Sequence, residues 1–203
     1  MVVTSAAMLL GVWMWLASGQ FAALAIDQHV NAGFGRLAAG SAGLVGVARG
    51  LSYLGVAGVV VGGTAVTALV LVRRGARWLA VWMVAVVTTG WLATEIGKLV
   101  VGRTRPPTNG EYWTARGFSF PSGHASVGVY AFGALAVVLA IAVPGRQRWW
   151  WSVGVAVVGL AIGVSRLVLG VHWISDVVAG WALGLLVLSV GVILLQRSVS
   201  PPR

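Results

Sequence analysis

Apolar residues run through this chain in long blocks separated by short polar stretches, and the block lengths predict the elements. A helix that crosses a membrane needs about 20 apolar residues. From Met1 to Ile26 there is no charge, which predicts a first spanning helix. Ala23-Leu24-Ala25 resembles a signal-peptide cleavage site, but the run is long and no basic segment precedes it, so it is read as retained. The stretch from Asp27 to Arg49 is mixed, and its uncharged part, Leu37 to Ala48, is too short to span. It predicts an interfacial or re-entrant segment. Gly50 to Val72 is the second expected span and Trp78 to Val101 the third. A loop rich in Pro, Gly, Arg and aromatics follows, Gly102 to His124. Ala125 to Val143, Trp149 to about Arg166, and Val177 to Gln196 are the fourth, fifth and sixth. The expected fold is all-α: an integral membrane bundle of six transmembrane helices, one domain over residues 1–203, with its active site at one membrane face.

Composition supports this picture. The chain is 59% hydrophobic and 9% charged, with mean hydropathy +0.93, whereas soluble domains carry about 25% charged residues. Cysteine is absent, which excludes disulfides and thiolate metal sites. The formal charge is +10, but the basic residues are scattered through short loops. Anionic lipid headgroups and phosphate are therefore the expected partners, not nucleic acid; the oligomeric state is left open. Trp149, Trp150 and Trp151 beside Arg146 and Arg148 read as an interfacial anchor. Six spans put both termini on one side. Arg73, Arg74, Arg77, Arg146, Arg148, Arg197 and Arg203 mark that side as cytoplasmic by the positive-inside rule. The opposite side carries as many basic residues: Arg36, Arg49, Lys98, Arg103, Arg105, Arg116 and Arg166. The rule holds only where several of these serve function. The expected location is the plasma membrane, multi-pass, with the chemistry on the extracytoplasmic face.

Ionisable groups inside a membrane are costly, so each asks for a function or a partner. Here they form clusters. Lys98 and Arg105 close the third span, Pro121-Ser122-Gly123-His124 opens the fourth, and Arg166, His172 and Asp176 join the fifth to the sixth. Alternating spans bring all of them to one face. Taken singly, Lys98 reads equally as a snorkelling side chain, Pro-Ser-Gly as a turn and cap, and His172 with Asp176 as a polar pair between helices. Their coincidence at one face favours chemistry, and the chemistry they suit is phosphate transfer. Arginine forks match phosphate oxygens. Ser122 and Gly123 precede a helix whose free N–H groups favour an anion. His172 and Asp176, four apart, share a face of a helix, and the carboxylate can hold one imidazole N–H and leave the other nitrogen as nucleophile. His124 can protonate the leaving oxygen. No cluster has the carboxylates that magnesium or calcium requires, and three nearby cations oppose zinc, so neither metal nor cofactor is expected. Glu95 either tethers Lys98 or contacts a substrate hydroxyl. Arg103, Arg116 and Glu111 read as solvated loop charges, and His29 as a solvated side chain.

Lys98 with six residues to Arg105-Pro106, then Pro121-Ser122-Gly123-His124, then Ser165-Arg166 with five residues to His172 and three to Asp176, resembles the three-part signature of the type 2 phosphatidic acid phosphatase (PAP2) superfamily. That superfamily also contains vanadium haloperoxidases and glucose-6-phosphatase. No signature position departs from the pattern, which spans Lys98 to Asp176; the residues before it match only in helix count. The resemblance implies a six-helix membrane core and metal-independent hydrolysis of a phosphomonoester or diphosphate. It implies His172 as nucleophile, Asp176 as its partner and His124 as general acid. It implies Lys98, Arg105, Ser122, Gly123 and Arg166 as phosphate ligands. The small size looks like bacterial members that act on lipid phosphates such as undecaprenyl diphosphate, phosphatidylglycerophosphate or phosphatidic acid, through a phosphohistidine. Two alternatives are a phosphotransferase on the same core, passing the phosphoryl group to a sugar or lipid, and a non-catalytic protein that binds or transports lipid phosphates. A pure binder has no need of nucleophile, acid and orienting carboxylate together.

Overall fold

The computed structural model describes residues 25–199, which are helical throughout apart from their connections. The helices are α1 (Ala25–Ala39), α2 (Ala42–Leu54), α3 (Ala57–Arg73), α4 (Arg77–Val101), α5 (Gly123–Ala142), α6 (Gln147–Val168) and α7 (Ile174–Val199). The expected first span lies, up to residue 24, outside the described residues. The third to sixth expected spans correspond to α4, α5, α6 and α7, each long and apolar enough to cross a membrane.

These four helices form the core of the bundle. Leu79, Met83 and Val86 of α4 pack with Tyr130 and Ala134 of α5 and with Val187 of α7. Between α5 and α6 the backbones themselves meet. A Cβ on Gly128 would lie 2.0 Å from the Gly159 carbonyl oxygen, so neither position has room for a side chain. Small residues at such crossings let membrane helices approach and gain dispersion contact, since lipid provides no hydrophobic drive between them. The outer surface is apolar, with Val81, Leu99 and Leu160 exposed, as for helices solvated by lipid.

The ends of the bundle differ. α4 and α6 finish, and α5 and α7 begin, at one polar end, across which α1 and α2 lie. The opposite end carries the arginine-rich turns and the three exposed tryptophans, with Arg148 over the Trp149 ring at 5.3 Å. That arrangement agrees with an interfacial anchor.

Before α4 the chain agrees with the expected re-entrant segment and departs from the expected second span. α1 and α2 are bent by 113° relative to each other at a short break, and together pass as one broken span or a re-entrant pair. Gly50 to Val72 is not one helix: α2 ends at Leu54 and α3 starts at Ala57, with only 17 residues. At the break lies Gly55, where a Cβ would stand 2.7 Å from His124 Cδ2 and 2.9 Å from Ile162 Cγ2. The chain passes against the His124 ring and turns there, which an unbroken apolar run does not reveal. Among the described residues, then, four helices are long enough to span, or up to five spans if the bent pair is counted; a count of six is not reached.

Candidate active site

The residue at the centre is His172, in the short link between α6 and α7, 2% exposed. It does not lie on a helix with Asp176, as its spacing suggested. Instead α7 begins after it, and Asp176 in the first turn reaches back to accept the Trp173 N–H at 2.9 Å, closing the helix start. The same oxygen, Oδ2, accepts from the Ser119 hydroxyl at 2.5 Å and faces His172 Nδ1 at 3.4 Å. On the other side of the ring, Arg105 Nη1 is 3.0 Å from Nε2. A guanidinium only donates, so Nε2 is the acceptor nitrogen and Nδ1 carries the proton towards Asp176. Burial pushes the imidazole down to about 4, against the opposing pull of Asp176. The ring is neutral, with its lone pair on Nε2.

Arg105 is itself held by backbone. Its guanidinium donates to the carbonyls of Arg116, Gly117, Phe118 and Val171 at 2.9–3.1 Å. Burial lowers its pKa, with Asp176 acting the other way. Arg166, near the end of α6 and 1% exposed, donates to the Ser52 hydroxyl of α2 and stacks at 5.5 Å over Trp113. Its Nε has no hydrogen-bond partner.

Ser122 caps α5: its hydroxyl accepts the Ala125 N–H, and its own N–H donates to the Asp176 carbonyl at 3.0 Å. It therefore ties α5 to α7 and has no N–H left for an anion. The amides of Gly123 and His124, in the first turn, have no intrahelical acceptor. Lys98 lies above this turn, since a Cβ on Gly123 would be 3.4 Å from its Nζ. The Lys98 ammonium also meets Glu95 Oε1 at 2.6 Å, so Glu95 is its tether. His124 lies on Gly55, within electrostatic reach of Arg166, His172 and Lys98, and its Nε2 is buried without a partner. Beside it opens a cavity of about 440 Å³ between α3, α4 and α5. Val60, Val61, Val87 and Trp91 line its apolar part, and Lys98, Glu95 and His124 its polar part.

All eight residues expected from the sequence thus gather at one end of the bundle. Arg116 and Glu111 are exposed, as expected, and His29 sits on the exposed outer side of α1. Arg103 is the correction. It is 2% exposed and bridges two carboxylates, through Nη1 to Asp176 Oδ1 at 2.7 Å and through Nη2 to Asp27 Oδ2 at 2.6 Å. Its partners lie more than 70 residues away on either side, so its loop position made it look solvated. Asp27, Ser119, Ser52 and Trp113 were missed as well. Asp27 alone left a signal: it is the only acid before Glu95, between two apolar blocks, and such a charge asks for a partner. With both aspartates engaged in this way, no group of three His, Cys, Asp or Glu among the described residues is placed to hold a metal ion.

A family model described as the PAP2 superfamily matches residues 75–200, which include every signature position. Undecaprenyl-diphosphatase of Sulfolobus acidocaldarius is 32% identical over 124 residues, 59% of this chain and 56% of that protein. Phosphatidylglycerophosphatase B of Bacillus subtilis is 32% identical over 114 residues, 54% of each. The chain thus spans about half the length of the curated relatives it matches. The crystal structure of a transmembrane PAP2 type phosphatidylglycerolphosphate phosphatase from Bacillus subtilis superposes with a TM-score of 0.84 at 22% identity, covering 100% of this chain and 98% of that one, which establishes a shared multi-pass membrane fold. The family model covers more than half of the chain, and the chain belongs to the PAP2 superfamily.

Proposed function

We propose that this protein hydrolyses a lipid phosphate or diphosphate without a metal, through a phosphohistidine on His172. The observation that carries this reading is the two-sided hold on one ring: Asp176 at Nδ1 and Arg105 at Nε2. Nε2 attacks phosphorus while the bond to the lipid oxygen breaks, and His124 supplies the proton that oxygen needs. Water then attacks the phosphorus with His124 as base, the P–N bond breaks, and inorganic phosphate leaves. Arg105, Arg166 and Lys98 surround the equatorial oxygens as charge spreads over them, with the amides of Gly123 and His124 adding donors. Ser122 acts by fixing the helix start. The apolar cavity beside His124 suits an acyl or prenyl chain, and the relatives above are named for undecaprenyl diphosphate and phosphatidylglycerophosphate. The arginine-rich turns at the far end support a site on the extracytoplasmic side of the plasma membrane.

The test is phosphate release by detergent-solubilised protein over phosphatidic acid, phosphatidylglycerophosphate, prenyl phosphates and prenyl diphosphates, in excess EDTA. Turnover of at least one substrate, undiminished by chelator, is expected. Loss in EDTA restored by one divalent ion removes the metal-independent mechanism. Binding without release on the whole panel leaves a lipid-binding protein.

A further inference from the structure

We propose that Asp27, on α1, is a positioning residue for the phosphoryl transfer, acting through Arg103 to leave the charge of Asp176 available to His172, a role that rests on His172 being the nucleophile. Asp176 has two oxygens with different duties. Oδ2 serves Ser119, the Trp173 N–H and His172, while Oδ1 is met by Arg103. Arg103 thereby sets the plane of the carboxylate. Alone, a buried guanidinium at 2.7 Å would also draw the carboxylate's charge away from the imidazole. Asp27 offsets that charge from the opposite end of the fork. Its Oδ2 accepts from Arg103 Nη2, and both its oxygens accept from Ser175, Oδ1 from the N–H at 3.0 Å and Oδ2 from the hydroxyl at 2.8 Å. The Ser175 hydroxyl also accepts from Arg103 Nη1 at 2.6 Å. Asp27 and Asp176 are fully buried, so solvent does not screen this chain of charges. One carboxylate neutralises the arginine, and the other remains available to stabilise His172 as it becomes cationic on phosphorylation. The two arms of the fork serve separate carboxylates, a geometry a lysine ammonium does not reproduce.

The experiment compares Asp27→Asn, Arg103→Gln and the double variant, each in detergent with its melting temperature recorded. It measures kcat and KM on farnesyl diphosphate and phosphatidic acid, and the affinity for vanadate, a five-coordinate mimic of the transferring group. Asp27→Asn is expected to lower kcat about 10- to 100-fold, by analogy with the loss of hydrogen-bond partners behind metal-ligating side chains. KM should stay within about twofold, and vanadate should weaken in step with kcat. The double variant should recover part of the kcat that Asp27→Asn loses, because the uncompensated arginine is gone. A folded Asp27→Asn with wild-type kcat and vanadate affinity overturns the proposal, as does a double variant whose losses simply add. Where Asp27→Asn fails to fold, Ser175→Ala reads the same link, and an unchanged kcat there overturns it too. If the wild type turns over neither substrate, the hydrolase reading is what fails, and vanadate affinity across the variants still decides the role of Asp27. No vanadate binding by the wild type removes both.

Discussion

The two histidines of the site sit in opposite surroundings. His172 is complete: both ring nitrogens have neighbours, its carboxylate has both oxygens engaged, and these contacts come from α7 and the loop between α4 and α5. His124 is incomplete: its Nε2 is buried without a partner, and its ring rests on a glycine at the edge of a cavity. In the proposed mechanism the attacking half is organised in advance by protein alone, while the departing half is left for the lipid to finish. Catalysis asks for this division. A nucleophile is needed in one orientation for every substrate, whereas the proton donor must meet an oxygen that arrives with the ligand.

Removing the proposed nucleophile breaks the comparison most severely. His172→Ala should lower turnover by at least about 10⁴-fold, the scale set by loss of a reacting unit elsewhere. It should also leave no acid-labile, alkali-stable label after rapid quench with ³²P-substrate. Label in that variant would place the covalent step on another residue.

On the open side, His124→Ala should cost about 10²–10⁴-fold with a lipid substrate, the usual contribution of a general acid or base. A substrate with a good leaving group should rescue formation of the phosphoenzyme but not its hydrolysis, so label should accumulate. Equal loss in both steps, with no accumulation, would merge the roles of the two histidines.

Gly55→Val sharpens the contrast without replacing a reacting group. The new Cβ, 2.7 Å from the His124 ring, should displace it, and a shift of about 1 Å costs up to about 10²-fold. Gly58→Val, in the next turn with nothing within 4 Å, is the control and should stay near wild type. Similar losses in both variants would point to helix propensity rather than to the ring contact.

The smallest effect concerns pH. Burial lowers the His172 pKa to about 4, so the ring is already neutral above that value and gains a proton only as pH falls through it. With an activated substrate that needs no acid, kcat/KM should show no nucleophile limb between pH 8 and about 5, once substrate ionisation is controlled. A limb near the ordinary histidine value of about 6.5 would mean that the ring is more solvated than its 2% exposure indicates.

Much of the catalytic half was legible in sequence because its residues are chemically conspicuous. A lysine, arginines, histidines and an aspartate at the ends of apolar blocks have few innocuous explanations, and α4 to α7 follow from block length alone. What sequence concealed was pairing and collision. Nothing near Arg103 indicates that a residue of α1 and another of α7 close around it. Nothing in the apolar run through Gly55 shows that an imidazole from α5 presses on it. Hydropathy records what a residue prefers as solvent, and both features depend on which distant neighbour replaces that solvent.

The order of synthesis gives the Asp27–Arg103–Asp176 chain a consequence for biogenesis. Asp27 emerges first and Arg103 follows 76 residues later, so a nascent chain carries both members of a self-neutralising pair before α5 exists. Asp176 arrives only with the last helix and docks onto an arginine whose charge has been met. A ribosome-bound chain stalled before α7 therefore already contains the acid that Arg103 meets, and the proposed reactive centre comes into being only at the final insertion step.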